Sequence, residues 1–159
     1  MVATATTVGV KIFDVQNGDQ LAEITVPGNY CKKVELSYSD KYFAVIFTDA
    51  QKDSAMRIYN LKDCIAWGKK EGSPQYVREI KAPRDHTIND VKWGPLDETL
   101  YYCTDQGRLI KYDTQNGKLI QASDVHRHEI FTITITRDFT MLFTCSRDGT
   151  CKLLHRDTF

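Results

Sequence analysis

The length, composition and charge of this 159-residue chain exclude several classes of protein. A hydrophobic fraction of 42% and a charged fraction of 26% are typical of a folded globular protein and exclude a disordered chain. Lys plus Arg and Asp plus Glu number 21 each, so no overall field attracts nucleic acid or an anionic membrane. Because there is no long apolar run and no signal-peptide pattern, we expect a cytoplasmic protein.

Strand-like segments follow one another along the chain. Between residues 8 and 13, apolar residues alternate with other residues, and a turn follows; this pattern predicts a β-strand. One segment, residues 64–71, is short and has no clear cap, so we interpret it as a loop that contains about one helical turn. The predicted class is therefore all-β. The later predicted strands cover residues 34–37, 42–47, 56–59, 88–93, 99–104, 109–112, 130–135 and 140–146.

Four of these strands end in a similar way before a turn. A Gln-Asn-Gly turn follows closely on two of the endings, and Asn-Gly suits a two-residue hairpin because glycine accepts positive φ. The successive endings are separated by 46, 53 and 42 positions, close to the 40 to 45 residues of a four-stranded WD40 propeller blade. The endings are Phe13-Asp14, Tyr59-Asn60, Tyr112-Asp113 and Leu154-His155.

The repeat predicts four whole or partial blades. The second blade is the longest because residues 48–55 and a segment from Asn60 to about Gln75 are inserted, and surface loops accept insertions at a small entropic cost. The predicted boundaries are 1–29 for the outer strands of one blade, 30–83 for the second blade, 84–125 for the third and 126–159 for an incomplete fourth.

The five cysteines form neither a disulfide pattern nor a zinc pattern. Their number is odd and they include no C-x-x-C pair, whereas disulfide frameworks have even numbers and zinc sites need close pairs. We interpret them as small buried residues in a reducing compartment. They are Cys31, Cys64, Cys103, Cys145 and Cys151.

Several short motifs in a fixed order resemble one WD40 family, that of the i subunit of eukaryotic translation initiation factor three, also called the TGF-beta receptor-interacting protein family. The resemblance implies a seven-bladed propeller about twice as long as this chain, which would be a fragment of about three blades. The motifs are Tyr59-Asn60-Leu61-Lys62-Asp63, Val91-Lys92-Trp93-Gly94-Pro95-Leu96, residues 107–118, and Ser146-Arg147-Asp148 followed by Lys152.

The function implied by the resemblance is a non-catalytic scaffold. Family members bind the b and g subunits and, through them, the 40S ribosomal subunit, so neither direct nucleic-acid binding nor membrane binding is expected. An alternative is a WD40 signalling adaptor that binds a TGF-beta-type receptor kinase. A propeller enzyme is disfavoured because catalytic motifs are missing, and no cofactor is expected. Open blades expose apolar faces, so we also expect the chain alone to be marginally stable or to self-associate.

His126 stands just before a predicted first strand, where WD repeats carry a histidine that bonds within the blade. The resemblance to these repeats predicts a network from His126 to Asp148 and to Thr144 or Ser146. The alternative is a metal site that combines His126 with His128, for which a third ligand is not evident nearby. We therefore favour the structural network.

Two further positions bear on this network. Leu154 and His155 occupy the places where a WD repeat normally carries tryptophan and aspartate, so the network is expected to be incomplete. His86 stands at the equivalent place one blade earlier, with Asp90 four residues later. We include both residues in the predicted structural set.

Three residues are candidates for partner contacts. Asp148 either fixes its hairpin alone or, as the resemblance implies, acts with Arg147 against a helix of the b subunit. Thr132 stands at the place of a second acidic contact, so a charged contact is not carried over there. Trp67, beside Lys69-Lys70 in the polar loop, either anchors a partner or folds back onto its own blade.

Overall fold

The computed structural model describes residues 1–51 and 53–159 of the chain. They form two compact units, Met1–Lys81 and Ala82–Phe159, each built from two antiparallel sheets. The predicted class, all-β with part of a WD40-type propeller, is confirmed by these four sheets. The blade boundaries given above stay a prediction.

The first unit holds sheets 1 and 2, in which each strand pairs with the next one along the chain. Sheet 1 includes a strand at its start that the sequence pattern does not indicate. It consists of β1 (Val2–Thr6), β2 (Gly9–Phe13) and β3 (Gln20–Thr25). Sheet 2 consists of β4 (Asn29–Leu36), β5 (Tyr42–Asp49), β6 (Ser54–Asn60) and β7 (Arg78–Lys81).

The core of the first unit lies between its two sheets. Val10 and Ile12 of β2 alternate with more exposed residues, so both point into the core, where they are fully buried. Phe43, Val45 and Tyr59 from sheet 2 are buried in the same cluster. Burial of each such side chain contributes about 1.5–3 kcal/mol, which holds the two sheets together.

The second unit holds sheets 3 and 4, again with sequential antiparallel pairing. A single 3-10 turn, Pro95–Asp97, connects the first two strands of sheet 3. Sheet 3 consists of β8 (Ile88–Trp93), β9 (Thr99–Thr104), β10 (Arg108–Asp113) and β11 (Lys118–Asp124). Sheet 4 consists of β12 (Ile130–Ile135), β13 (Met141–Ser146) and β14 (Cys151–His155).

The core of the second unit joins the inner strands of its two sheets. Tyr101 and Leu109 of sheet 3 are buried together with Ile130, Ile133 and Leu142 of sheet 4. Only one face of sheet 4 takes part, because its strands alternate between the core and the opposite face. Within sheet 4, the pairing of Ile130 with Ser146 places the start of β12 beside the β13–β14 turn.

The repeated Gln-Asn-Gly sequence forms the turns of the β2–β3 and β10–β11 hairpins. The aspartate before each turn accepts a hydrogen bond of 2.8 Å from the backbone N–H two residues later, at Asp14 and again at Asp113. Gly18 and Gly117 adopt φ of 77° and 69°, which glycine tolerates without strain. The repeated sequence therefore forms a turn, and we assign no functional site to it.

The interpretation of residues 64–71 as a loop with one helical turn is correct for residues 68–71, but the helix begins earlier and is longer than expected. A helix, α1, runs from Leu61 to Trp67 and ends at Gly68, which has φ of 71°. Its cap is Asn60, whose side chain accepts hydrogen bonds from the N–H groups of Lys62 and Asp63. Because Asn60 also ends a strand, the sequence pattern hides its second role.

The insertion predicted at residues 48–55 forms less loop than expected. β5 continues to Asp49 and β6 begins at Ser54, with Thr48 paired to Ser54. Most of the described inserted residues therefore lengthen the hairpin, because the two strands continue their ladder past the expected ends. Lys52, which belongs to the same insertion, lies outside the described residues.

Candidate functional site

His126 bonds across the β13–β14 hairpin with a fully buried side chain. Its Nδ1 lies 2.9 Å from Asp148 Oδ2, and its Nε2 lies 2.8 Å from Thr144 Oγ1. A charged carboxylate only accepts hydrogen bonds, so in neutral His126 the Nδ1–H tautomer donates to Asp148 while Nε2 accepts from Thr144. Both ring nitrogens are thus engaged within the sheet.

Asp148 is held in its charged form by the groups around it. Hydrogen bonds lower the pKa of its carboxyl group far below the ordinary value, chiefly the bond from the Thr150 hydroxyl at 2.6 Å. The His126 ring and the Arg127 backbone N–H, 3.2 Å away, lower this pKa further. The carboxylate therefore stays ionised at neutral pH and ties the hairpin turn to the residues before β12.

Thr150 is a member of this network that the sequence reasoning missed. Its hydroxyl also lies 3.1 Å from His126 Nδ1, and its backbone N–H donates to Asp148 Oδ1 at 2.9 Å. The available signal is the Asp-Gly-Thr sequence, because an aspartate side chain commonly accepts the N–H two residues later. Thr150 adds contacts on the Asp148 side of the ring.

The position normally held by tryptophan adds no hydrogen bond. Leu154 is half-buried there and packs against the core of sheets 3 and 4. His155, at the usual aspartate place, is exposed, and its Nδ1 accepts a bond of 3.3 Å from the N–H of Asp157. An apolar side chain can fill the volume but cannot donate to a neighbouring hydroxyl.

Arg147 lies at the tip of the same hairpin with an exposed side chain. Its backbone N–H donates to the Glu129 carbonyl oxygen at 2.8 Å. The buried Ser146 hydroxyl donates to the His128 carbonyl and accepts from the Asp148 N–H, each at 3.1 Å. The charged side chain of Arg147 therefore extends from a turn whose backbone is fixed by several hydrogen bonds.

Asp90 connects sheets 3 and 4. The carboxylate is buried on β8, and its Oδ2 accepts bonds from the Thr132 hydroxyl at 2.7 Å and from the Ile133 N–H at 3.0 Å. The Val91 N–H donates to Oδ1 at 2.8 Å. Thr132 thus acts as a donor to a carboxylate, a role that an acidic residue at this position could not fill when ionised.

His86 occupies in sheet 3 the place that His126 occupies in sheet 4, with different partners. Its Nδ1 lies 3.1 Å from Thr104 Oγ1. The turn here is Asp105-Gln106-Gly107, so glutamine stands where sheet 4 has Asp148. Asp105 accepts from the Thr87 N–H at 2.8 Å. The structure thus joins His86 to Thr104, and Asp90 to the neighbouring sheet.

A polar cleft of about 510 Å³ opens beside His86. Its arginines are matched by nearby carboxylates, at 3.9 Å for Arg84 and Asp85 and 2.9 Å for Arg108 and Asp124. The balance of charge gives the cleft no strong preference for an anion or a cation.

Trp67, at the end of α1, is half-buried and contacts its own segment. Its Nε1–H donates to the Lys70 carbonyl oxygen at 3.3 Å, and Lys70 Nζ lies 5.4 Å from the centre of the ring. The indole therefore has local partners at both its edge and its face. A role of Trp67 as a partner anchor stays a prediction.

Neither a metal centre nor a membrane span is found in the part of the chain that the structure describes. In residues 1–51 and 53–159, His, Cys, Asp and Glu side chains do not gather in groups of three that could hold a metal ion. Within the same residues, α-helices lack the length and apolar character needed to cross a bilayer.

No family model matches the chain. It is, however, 39% identical over 144 residues to eukaryotic translation initiation factor 3 subunit I from Bombyx mori, covering 90% of this chain and 42% of that protein. The chain is a homologue of part of this initiation factor subunit.

The same subunit from two other organisms is also similar. The Candida glabrata protein is 25% identical over 163 residues, which cover 94% of this chain and 44% of that protein. The Homo sapiens protein is 34% identical over 80 residues, which cover 50% of this chain and 25% of that protein. The chain spans less than half the length of these relatives of initiation factor 3 subunit I.

Proposed function

We propose that the chain is part of a non-catalytic scaffold subunit of the eukaryotic translation initiation factor 3 complex. In this role it binds other subunits during assembly of the preinitiation complex on the 40S ribosomal subunit. The observation that supports the proposal is the homology to subunit I, which extends over 90% of the chain. The resemblance found in the sequence motifs suggests the b and g subunits as partners.

The β13–β14 turn is the contact surface that we propose within this scaffold. It offers an exposed cation, Arg147, next to a carboxylate, Asp148, that is ionised at neutral pH. The backbone of the turn is already ordered by bonds to Glu129 and Thr150. A pre-ordered turn loses little conformational entropy on docking, which favours binding of a partner helix.

The test measures binding of the b subunit's C-terminal helix to the 159-residue chain by isothermal titration calorimetry. The wild-type chain is expected to bind, and Arg147→Glu is expected to weaken binding by roughly ten-fold or more because it reverses an exposed charge at the contact. Arg147 is the residue of choice because its side chain is exposed, whereas changes at Asp148 also disturb the His126 network.

The matched control is Arg137→Glu. Arg137 is also exposed and also precedes an aspartate in a hairpin of sheet 4, but in the β12–β13 turn at the opposite end of the strands. Binding by this variant is expected to equal that of the wild type. Absence of any binding by the wild-type chain would contradict the scaffold proposal, whereas equal loss in both variants would contradict the assigned surface alone.

A further inference from the structure

Two cysteines face each other across the β13–β14 hairpin. Cys145 and Cys151 are directly paired in the register, and their Sγ atoms are 3.0 Å apart. The adjacent pair, Ser146 and Thr150, is hydrogen-bonded through the backbone at 3.0 Å. Cys145 and Cys151 are therefore a non-hydrogen-bonded pair, in which Cα atoms lie about 4.5 Å apart. That spacing falls within the roughly 4.4–6.8 Å that a disulfide bridges without backbone movement.

The environment separates this pair from the other cysteines. Cys151 is exposed and Cys145 is half-buried, whereas Cys64 and Cys103 are buried. Burial raises the pKa of Cys31 to about 11 and that of Cys64 to about 12, which leaves almost no reactive thiolate at neutral pH. Reactivity toward a dissolved oxidant is accordingly concentrated at the β13–β14 pair.

We propose that Cys145 and Cys151 form a redox-sensitive dithiol that a low-molecular-weight disulfide, such as glutathione disulfide, converts into a cross-strand disulfide. The exposed Cys151 thiol loses its proton and attacks one sulfur of glutathione disulfide, releasing one glutathione thiolate. Cys145 then loses its proton and attacks the Cys151 sulfur, which releases the second glutathione. The pair is oxidised by two electrons, and one glutathione disulfide is reduced to two thiols.

The order of attack follows from the surroundings of the two thiols. Cys145 shares a hydrogen bond with Cys151, which raises the pKa of Cys145, and it is the less accessible of the two. Cys151 is therefore the attacking thiol and Cys145 the resolving one. In the reducing compartment expected from the sequence, such a bond would be reversible rather than structural.

The disulfide would close the hairpin that carries Arg147 and Asp148. The loop between the cysteines contains the turn that holds Asp148 against His126. Oxidation would therefore restrict opening of the turn, because a cross-link limits the conformations of the unfolded hairpin. This dithiol is independent of the proposed function, since it rests on the strand register and thiol accessibility alone.

The test equilibrates the reduced 159-residue chain with glutathione and glutathione disulfide at several ratios, quenches exchange with acid, then unfolds the chain and blocks every free thiol, including the buried ones, with iodoacetamide. Intact mass is expected to show three blocked cysteines after oxidation instead of the five of the reduced chain. Trypsin cleaves after Arg147, between the cysteines, so peptides 138–147 and 148–152 are expected to stay joined until dithiothreitol is added. Five blocked cysteines at every ratio would overturn the proposal.

Serine variants test the assignment of Cys151 as the attacking thiol and Cys145 as the resolving thiol. Cys145→Ser is expected to accumulate glutathione on Cys151 about ten-fold more than the wild type does, because the resolving thiol is missing. Cys151→Ser is expected to form neither the adduct nor the joined peptides. The half-buried thiol of Cys31 supplies the control, and Cys31→Ser should leave the joined peptides unchanged. A stable glutathione adduct on wild-type Cys151, without joined peptides, would also overturn the proposal.

Discussion

At the scale of single residues, the His126 network shows how a few polar groups hold one hairpin in place. Asp148 accepts bonds from the imidazole, from the Thr150 hydroxyl and from two backbone N–H groups. Thr144 completes the set at the other ring nitrogen. The buried ring thus has a partner at each nitrogen, and the turn that bears Arg147 takes its position from these bonds.

We predict that Asp148→Asn destabilises the chain at neutral pH, because the charged acceptor is lost. The pKa of Asp148 is lower in the folded chain than in the unfolded chain, so its contribution is present above the unfolded value, about 4. The contribution decreases as the pH falls below 4 toward the folded pKa. Thermal unfolding of the wild type and of Asp148→Asn should therefore give melting temperatures whose difference is largest above pH 4 and becomes smaller below it.

The comparison for this prediction is Asp138→Asn. Asp138 caps the β12–β13 turn in a similar way and accepts bonds from the Thr136 and Thr140 hydroxyls, which lower its pKa, but among the described residues no histidine bonds to it. We expect a smaller destabilisation in this variant. Equal losses of thermal stability would indicate that the bond to His126 contributes nothing beyond the turn itself.

A second prediction concerns Gly107, which combines a φ of 78° with a close backbone approach. A Cβ added here would overlap the carbonyl oxygen of His126, so Gly107→Ala should cost more than the roughly 1–2 kcal/mol of left-handed strain alone. Gly149→Ala is the control, since it has a φ of 81° but open space around its Cβ position. Urea unfolding measures the loss of stability in each variant. Equal losses would show that the backbone around Gly107 moves to accommodate the Cβ without further cost.

At the scale of elements, α1 and the segment after it cover the outer strand of sheet 1. The backbone N–H of Glu23 donates to the Gly68 carbonyl at 2.9 Å, and that of Thr25 donates to the Gly72 carbonyl at 2.8 Å. Both donors belong to β3, whose outer edge would otherwise be unpaired at these residues. The inserted segment therefore has a structural role, because exposed edges promote unwanted strand pairing.

We predict that Asn60→Ala lowers stability by about 1 kcal/mol, because it removes the cap of α1. The same change should increase hydrogen exchange at the Glu23 and Thr25 amides, which depend on the position of the segment after the helix. Lys62→Ala, an exposed change within the same turn, should preserve both properties. If exchange rises equally in the two variants, the cap does not hold the segment.

The strands were predictable from the sequence, whereas the helix was not. The strands at Ile88–Trp93, Thr99–Thr104 and Ile130–Ile135 have the expected bounds, because alternation and turn residues report local geometry directly. α1 depends on Asn60, which serves as a strand end and a cap together. A short apolar segment becomes helical here because it packs against β3, a contact between elements that local patterns do not report.

The candidate site was only partly predictable for the same reason. The approach of His126 to the Asp148 turn could be inferred because WD repeats use a histidine there. The bond from Thr132 to Asp90 could not, because it joins residues 42 positions apart in different sheets. The pairing of Cys145 with Cys151 also depends on the register of the β13–β14 hairpin. A slip of one residue would place the two side chains on opposite faces of the sheet.

At the scale of the whole molecule, sheet 4 presents one apolar face that its own unit leaves uncovered. Phe143 and Leu153 are directly opposite each other on this face, and their exposed fractions are 44% and 52%. Because exposed apolar patches favour association, we predict that the chain self-associates through this face. Sedimentation velocity should show association that rises with concentration and weakens in Phe143→Ser, but persists in Val15→Ser, whose exposed side chain lies in a turn.

The coupling between stacked sheets gives the last prediction. Thr132→Val removes the hydroxyl that donates to buried Asp90 while nearly keeping the volume of the side chain. Bonds to charged groups are worth roughly 1.5–3 kcal/mol, so the free energy of unfolding should fall by about that amount. Thr132→Ser keeps the hydroxyl and should retain most of the stability. If the valine and serine variants unfold at the same urea concentration, the bond does not stabilise the stacking of sheets 3 and 4.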